Sequence, residues 1–169
     1  MKSIQKHITE RLQLNKDRVK QYEYFPETRE ELKDIIEKIT NKHKNDKIID
    51  LNMIDTSKIR DMSELFADNK HNYNISEWNV SNVTNMDGMF AYSNFYNDIS
   101  QWDVSNVTTM FGMFSNSQFN QDISNWNVSK VEDFRFMFFN SVFKQDLTSW
   151  KNKTKNKYLE EYIIKKYTK

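Results

Sequence analysis

The 169-residue sequence has no cysteine, only two glycines and only one proline. Without cysteine, the chain has no disulfide framework, thiolate metal site or cysteine nucleophile. So little glycine and proline argues against a linker-rich or disordered chain. No stretch approaches the roughly 18 apolar residues of a membrane span, and no apolar run follows the N-terminal lysines as in a secretory signal. We therefore expect a cytoplasmic protein with no membrane partner.

Positive charge is scarce in the middle of the chain. Residues 54–149 carry six basic and twelve acidic side chains, whereas residues 150–169 carry seven lysines and two glutamates. Because basic charge drives binding to nucleic-acid phosphates, we expect no nucleic-acid partner. The lysine-rich end is either a solubilising segment, which we favour, or a phosphate contact.

The sequence does contain a 24-residue internal repeat. Its four tryptophans, Trp78, Trp102, Trp126 and Trp150, are spaced by 24. The first three tryptophans are followed at fixed distances by the same residue types, as in "WDVSNVTTMFGMF". These are two valines, a methionine or phenylalanine, a Met-Phe pair, a further phenylalanine and an Asp-aliphatic pair. A fainter copy begins at Ile54. Four copies therefore lie between 54 and 149, and a fifth begins at Trp150.

Each copy changes its apolar period partway. The run from Ile99 to Val107 has the spacing of a leucine-rich repeat, and its alternating centre predicts a short strand. Met86, Met89 and Phe90, at i, i+3 and i+4, predict a short helix. The sequence thus predicts an α/β repeat solenoid of leucine-rich-repeat-like coils, each with one short strand plus one short helix.

The ends of the chain are predicted to be helical caps. We expect a helical N-terminal cap at 1–48, the repeat solenoid at 49–150 and a C-terminal capping helix at 151–169. Thr28 and Glu31 form a capping box, followed by the apolar stripe Leu32, Ile35, Ile36 and Ile39. Similar stripes predict a first helix with Ile4, Ile8 and Leu12 and a last helix with Tyr158, Leu159, Tyr162 and Ile163. We favour core packing over partner docking for these stripes.

The motifs "FNQDISNWNVSKV" and "WDVSNVTTMFGMF" resemble those of bacterial leucine-rich-repeat-like surface proteins, the BspA family. The resemblance covers roughly residues 49–150. The preceding stretch, "YFPETREELKDIIEKI" with "IDLNMIDTSKIRDMSELF", is similar to short members of the family without a secretion signal, from gut bacteria and their phages. The resemblance implies a right-handed solenoid used for adhesion or binding, with no enzymatic activity.

Two columns of repeated residues could have a chemical role. The tryptophans could stack sugars, but they occupy a leucine position of the repeat, so we favour burial, as for the methionine and phenylalanine columns. Asp98, Asp122 and Asp146 could hold calcium, but such sites need six or more oxygens and no glycine-rich calcium loop is present. We favour turn capping and predict no metal site.

Candidates for catalysis are weak. His7, His43 and His71 are isolated from one another, and the neighbours Glu132 and Asp133 are typical of a solvated face. Gly88 and Gly112 are 24 residues apart, whereas a phosphate loop needs clustered glycines; we place them where the short helix of one coil closely approaches its neighbour. We therefore predict no enzyme, no catalytic residues and no cofactor.

The surface offers two candidate binding sites. The first is a polar strand ladder that faces outward, or is merely solvated: Glu77, Asn79, Ser81, Gln101, Asp103, Ser105, Asn125, Asn127 and Ser129. The second is a hydrophobic patch in the phenylalanine-rich repeat, where three residues are left over from the core pattern: Phe111, Phe136 and Phe139.

These features predict a non-enzymatic protein-binding or adhesion-type module with a protein partner. One alternative is a structural component of a phage particle or surface assembly, which would self-associate, whereas a recognition module would stay monomeric until its target arrives. Another is a phage-borne inhibitor of a host protein.

Overall fold

The computed structural model describes residues 22–151. Its regular elements are helix α1 (Arg29–Lys42), strands β1 (Ile49–Asp50) and β2 (Tyr73–Asn74), and a short 3₁₀ helix (Thr148–Trp150). The two strands pair in parallel, with Ile49 opposite Tyr73. No helix within this part of the chain is long and apolar enough to cross a membrane.

Helix α1 begins directly after the predicted capping residue, Thr28. The Thr28 hydroxyl accepts the N–H of Glu31 at 3.2 Å, and the Glu31 carboxylate accepts the N–H of Glu27 at 2.8 Å. These bonds satisfy donors that have no partner inside the helix. The apolar face is buried at Leu32, Ile36 and Ile39, so the predicted helix and its core-facing stripe are confirmed.

The described residues include 22–48 of the predicted N-terminal cap and only residue 151 of the C-terminal one. Within the N-terminal cap, Arg29 at the start of α1 donates from Nε to the carbonyl of Ser63 at 2.7 Å, which joins the helix to the first repeat. The predicted first helix (Ile4, Ile8, Leu12) and last helix (Tyr158, Leu159, Tyr162, Ile163) lie outside the described residues.

The predicted fold class, an α/β repeat solenoid of leucine-rich-repeat-like coils, is wrong. Between residues 22 and 151 the single α-helix is α1, which precedes the repeats, and the paired strands are only two residues long each. Elsewhere the parallel pairing is confined to isolated bridges. The tryptophan–valine segments are therefore not strands, and the Met-Phe segments are not helices.

Consecutive turns account for the apolar spacing that looked helical. In one repeat the N–H groups of Met89, Ala91 and Ser93 each bond to the carbonyl three residues earlier, at 2.9–3.3 Å. The third residues of the first and last of these turns, Gly88 and Tyr92, have φ of +59° and +57°. A positive φ at this place is the mark of a type II turn and is incompatible with an α-helix.

Neighbouring repeats are joined through the same segment. The N–H groups of Met86, Gly88, Phe90 and Tyr92 donate at 2.8–3.0 Å to carbonyls of the next repeat, those of Thr109, Phe111, Met113 and Ser115. The segments 62–68 and 110–116 bond to their following repeats at the same alternate positions. Each repeat thus relies on its neighbour to satisfy half of the N–H groups in this segment.

Two rows of phenylalanine rings fill the core. Phe66, Phe90, Phe114 and Phe138 are stacked nearly parallel, with ring centroids 5.5–5.7 Å apart. A second row, Phe95, Phe119 and Phe143, is stacked at 6.1 and 6.3 Å. Rings of the two rows also stack on each other at 4.1–4.2 Å. The predicted burial of this column is confirmed.

The tryptophan column is also buried. Each indole N–H donates to a backbone carbonyl 27 residues earlier, at 2.9–3.2 Å: Trp78 to Leu51, Trp102 to Ile75, Trp126 to Ile99 and Trp150 to Ile123. A buried indole N–H needs such a partner. The column therefore belongs to the core, as predicted, and does not present a sugar-stacking surface.

We expect Phe114→Ala to lower the free energy of unfolding by about 3–5 kcal/mol, the range for removing a large buried aromatic side chain. Phe114 is fully buried between Phe90 and Phe138. The matched control is Phe139→Ala, since Phe139 is 58% exposed. Urea unfolding measures both, and equal losses would contradict the stacked core.

We expect Gly112→Ala to lower the free energy of unfolding by about 1 kcal/mol through backbone strain alone. Gly112 has φ of +60°, and the nearest atom to an added Cβ would be 3.9 Å away, so the close approach predicted from the sequence is wrong for this residue. Gly112→Asn should lower the free energy of unfolding by less, because asparagine tolerates positive φ. Equal stability of the alanine and glycine proteins in urea would contradict this account.

Candidate functional site

The nine ladder residues lie on the surface, but they are not in strands. Glu77, Asn79, Gln101, Asp103, Asn125, Asn127 and Ser129 are exposed, and Ser81 and Ser105 are half-buried. The backbone around them consists of turns and irregular segments. The exposure was predicted correctly, but the strand ladder was not.

The central residue of each ladder row closes a turn. Its side-chain oxygen accepts the N–H of the serine two residues on, at 3.1–3.2 Å: Asn79 from Ser81, Asp103 from Ser105 and Asn127 from Ser129. Bonding from the Ser105 hydroxyl also lowers the pKa of the Asp103 carboxyl. These are Asx turns, so the oxygens already have a structural role.

The aspartate column has the same turn geometry. Asp98, Asp122 and Asp146 accept the N–H two residues on at 2.8–2.9 Å. The predicted turn capping is confirmed. In the described part of the chain, no group of three or more metal-ligating side chains is placed to hold a metal ion.

The residues considered for catalysis have other contacts. The His43 ring nitrogen lies 2.8 Å from the Asp46 carboxylate, the His71 ring packs at 6.4 Å from Tyr73, and Asp133 binds Arg135. His7 lies outside the described residues.

The predicted hydrophobic patch is exposed and forms one cluster, which we call the aromatic patch (Phe111, Phe136 and Phe139). The three side chains are 38%, 50% and 58% exposed. Phe136 meets both others edge to face, with ring centroids at 5.5 and 5.8 Å. Edge-to-face packing is a favourable arrangement for aromatic rings, so the rings support one another at the surface.

A cation borders the aromatic patch. The Arg135 guanidinium lies 5.5 Å from the centre of the Phe111 ring, within cation–π range. Arg135 also donates from Nε and Nη2 to the Asp133 carboxylate at 2.6–3.1 Å. Hydrogen bonding to Arg135 lowers the pKa of the Asp133 carboxyl. The ion pair thus fixes the guanidinium beside the patch.

Phe136 has a strained backbone. Its φ is +59°, close to the values of Gly88 and Gly112 at the equivalent places of the two preceding repeats. A bulky residue at positive φ is an outlier, and such strain costs about 1–3 kcal/mol. Phe136 therefore has a half-exposed ring where a glycine would fit without strain.

The aromatic patch forms one end of a groove with a volume of about 430 Å³. Six non-glycine residues between 22 and 151 have positive φ, and four of them line the groove: Glu64, Asp68, Tyr92 and Phe136. At the other end are three carboxylates, Glu64, Asp68 and Asp87. Asp87 also accepts the N–H of Phe111 at 2.8 Å, which ties the two ends together.

Sequence reasoning missed Tyr92 and the three carboxylates. Glu64 could have been found, because it occupies the repeat position of Gly88 and Gly112, where a charged residue is unexpected. Tyr92, 54% exposed with φ of +57°, gave no such signal because that repeat position has no glycine.

We expect 5 mM calcium to leave the melting temperature unchanged, because each aspartate of the column (Asp98, Asp122, Asp146) already accepts a backbone N–H. A site with a Kd of about 0.1 mM would add about 2 kcal/mol at this concentration. Differential scanning calorimetry measures the effect, with magnesium as the control. A rise specific to calcium would contradict the turn-capping role.

Comparison with known proteins gives a family. No curated protein and no solved structure matched the chain. A family model described as a Mycoplasma protein of unknown function, DUF285, matches residues 31–150 and, in an overlapping second match, residues 91–166. Because these matches cover well over half of the sequence, the chain belongs to the DUF285 family.

Proposed function

We propose that this chain is a non-enzymatic protein-binding module, without a cofactor, and that its main contact surface is the aromatic patch. One observation carries the proposal. Phe136 holds a half-exposed ring at a strained backbone position where the two preceding repeats have glycine.

The strained backbone of Phe136 does not help the fold, and its half-exposed ring at most offsets that strain through its edge-to-face contacts. A left-handed backbone costs an L-residue roughly 1–2 kcal/mol, and the ring lies outside the buried core. Strained residues of this kind cluster at functional sites. Exposed aromatic rings are in turn enriched at the centres of protein interfaces, where they contribute much of the binding energy.

The aromatic patch is also preorganised. Phe136 is packed edge to face against Phe111 and Phe139, and Arg135 is held beside them by Asp133. Side chains already fixed in the free protein lose little conformational entropy on binding. A partner can therefore bury these rings with little loss of freedom on this side of the interface.

Two further features support binding. The resemblance of the repeat motif to the BspA family, a finer assignment than DUF285, implies adhesion or binding. The rows around Asn79, Asp103 and Asn127 would supply at most a polar rim, because their side-chain oxygens close turns.

We expect Phe136→Gly to abolish binding while leaving stability within about 1 kcal/mol of wild type. The substitution relieves the left-handed backbone (roughly 1–2 kcal/mol) and loses edge-to-face contacts of similar size. Selection of a random peptide library on the folded wild-type chain provides binders, which are then tested on the variant. Urea unfolding measures its stability.

The matched control is Asn140→Gly. Asn140 lies in the same repeat and has φ of +51°, but it is not aromatic, so binding should persist. Enriched peptides that bind the Phe136→Gly protein as tightly as the wild type would refute the proposed contact surface. So would a library that yields no enriched peptide at all.

A further inference from the structure

The groove crosses four repeats, and its character changes along its length. Glu64 and Asp68 come from the first repeat and Asp87 from the second, whereas Phe111 comes from the third and Phe136 from the fourth. Each step between repeats measures 5.5–5.7 Å in the phenylalanine row beneath. The groove therefore runs from an acidic end to an aromatic end.

Its length suits a short extended peptide. An extended chain advances about 3.3 Å per residue, so three steps between repeats match about five residues. The volume of about 430 Å³ takes the few side chains that one face of such a segment presents. The occupant that fits is thus a linear segment.

The charge of the groove selects the composition of that segment. Among the described residues that line it, three are carboxylates and none is lysine or arginine. Arg135, which borders the aromatic end, is paired with Asp133. Glu64 and Asp68 are exposed, so a cationic side chain can reach them from solvent. At the other end, the rings of the aromatic patch offer apolar area to aliphatic or aromatic side chains.

We infer that the groove binds a five-residue segment of a partner protein, with lysine or arginine side chains against Glu64 and Asp68 and apolar side chains on the aromatic patch. This inference rests on the proposed function and names the chemistry of the partner. A second copy of the repeats fits poorly, because residues 54–149 carry twelve acidic and six basic side chains, and like charges would repel.

The test uses two synthetic peptides on the full chain. One has two lysines followed by leucine, phenylalanine and leucine, and the other has glutamates in place of the lysines. In 50 mM NaCl we expect the lysine peptide to bind at least tenfold more tightly by fluorescence anisotropy. In 500 mM NaCl its affinity should fall about fivefold, because the Debye length shortens from over 10 Å to under 5 Å.

Variants separate the two ends of the groove. The double substitution Glu64→Gln with Asp68→Asn should lower the affinity for the lysine peptide about fivefold and remove most of the salt dependence of that affinity. Phe136→Gly should lower the affinity for both peptides. The control is Asp122→Asn, which removes one negative charge outside the groove. The fold accepts asparagine at this repeat position, since Asn74 occupies it in the first repeat. This variant should change the affinity for the lysine peptide less than twofold.

The outcomes distinguish this inference from the proposed function. Equal binding of the two peptides, both dependent on Phe136, would overturn the basic-segment inference and leave the proposed function standing. The inference would equally fail if library peptides that depend on Phe136 lacked lysine and arginine. A salt-sensitive dimer of the free chain in sedimentation velocity, lost in the Glu64→Gln/Asp68→Asn protein, would show that a second copy is the occupant and overturn it as well.

Discussion

The structure depends on the hydrogen bonds that join each repeat to the next. In the turn segment, alternate N–H groups such as those of Gly88 and Phe90 donate to carbonyls of the following repeat, while the residues between them close four-residue β-turns. A buried backbone donor without an acceptor costs free energy comparable to a lost hydrogen bond. An isolated repeat would leave these alternate N–H groups without their acceptors, so each repeat needs the next one. The phenylalanine rows and the indole bonds follow the same spacing between repeats.

The same constraint shapes the surface. Tandem turns require positive φ at two places in each repeat, and most of these places border the groove. Glycine meets the requirement without strain at Gly88 and Gly112, whereas Glu64 and Phe136 meet it with strain. The repeat position at which a side chain strains the backbone is thus the position from which the Glu64 carboxylate and the Phe136 ring reach the groove.

Sequence patterns predicted burial better than backbone conformation. The columns of Trp102, Met89 and Phe114 were placed in the core from their spacing, and helix α1 from its capping box and stripe. The α/β solenoid failed because i, i+3, i+4 spacing marks residues that share a buried side, and consecutive turns produce that spacing as well as a helix does. The spacing also gave no sign of where the left-handed residues stand.

Part of the site was predicted from the same apolar spacing. Phe136 and Phe139 were found because they are left over from the core pattern. Asp68 and Tyr92 were missed, because their role depends on how neighbouring repeats lie beside each other, which a single repeat does not reveal. The ladder around Asn79 was identified as exposed, but its side-chain bonds became visible only with the turn geometry.

Amide hydrogen exchange at three equivalent residues tests the central claim most directly. The N–H groups of Gly88 and Gly112 bond at 2.8 and 2.9 Å to the next repeat, whereas that of Phe136 has no acceptor among residues 22–151. If the bonds between repeats hold the structure together, Gly88 and Gly112 exchange only on global unfolding and Phe136 exchanges orders of magnitude faster. Equal, fast exchange at all three would contradict the account.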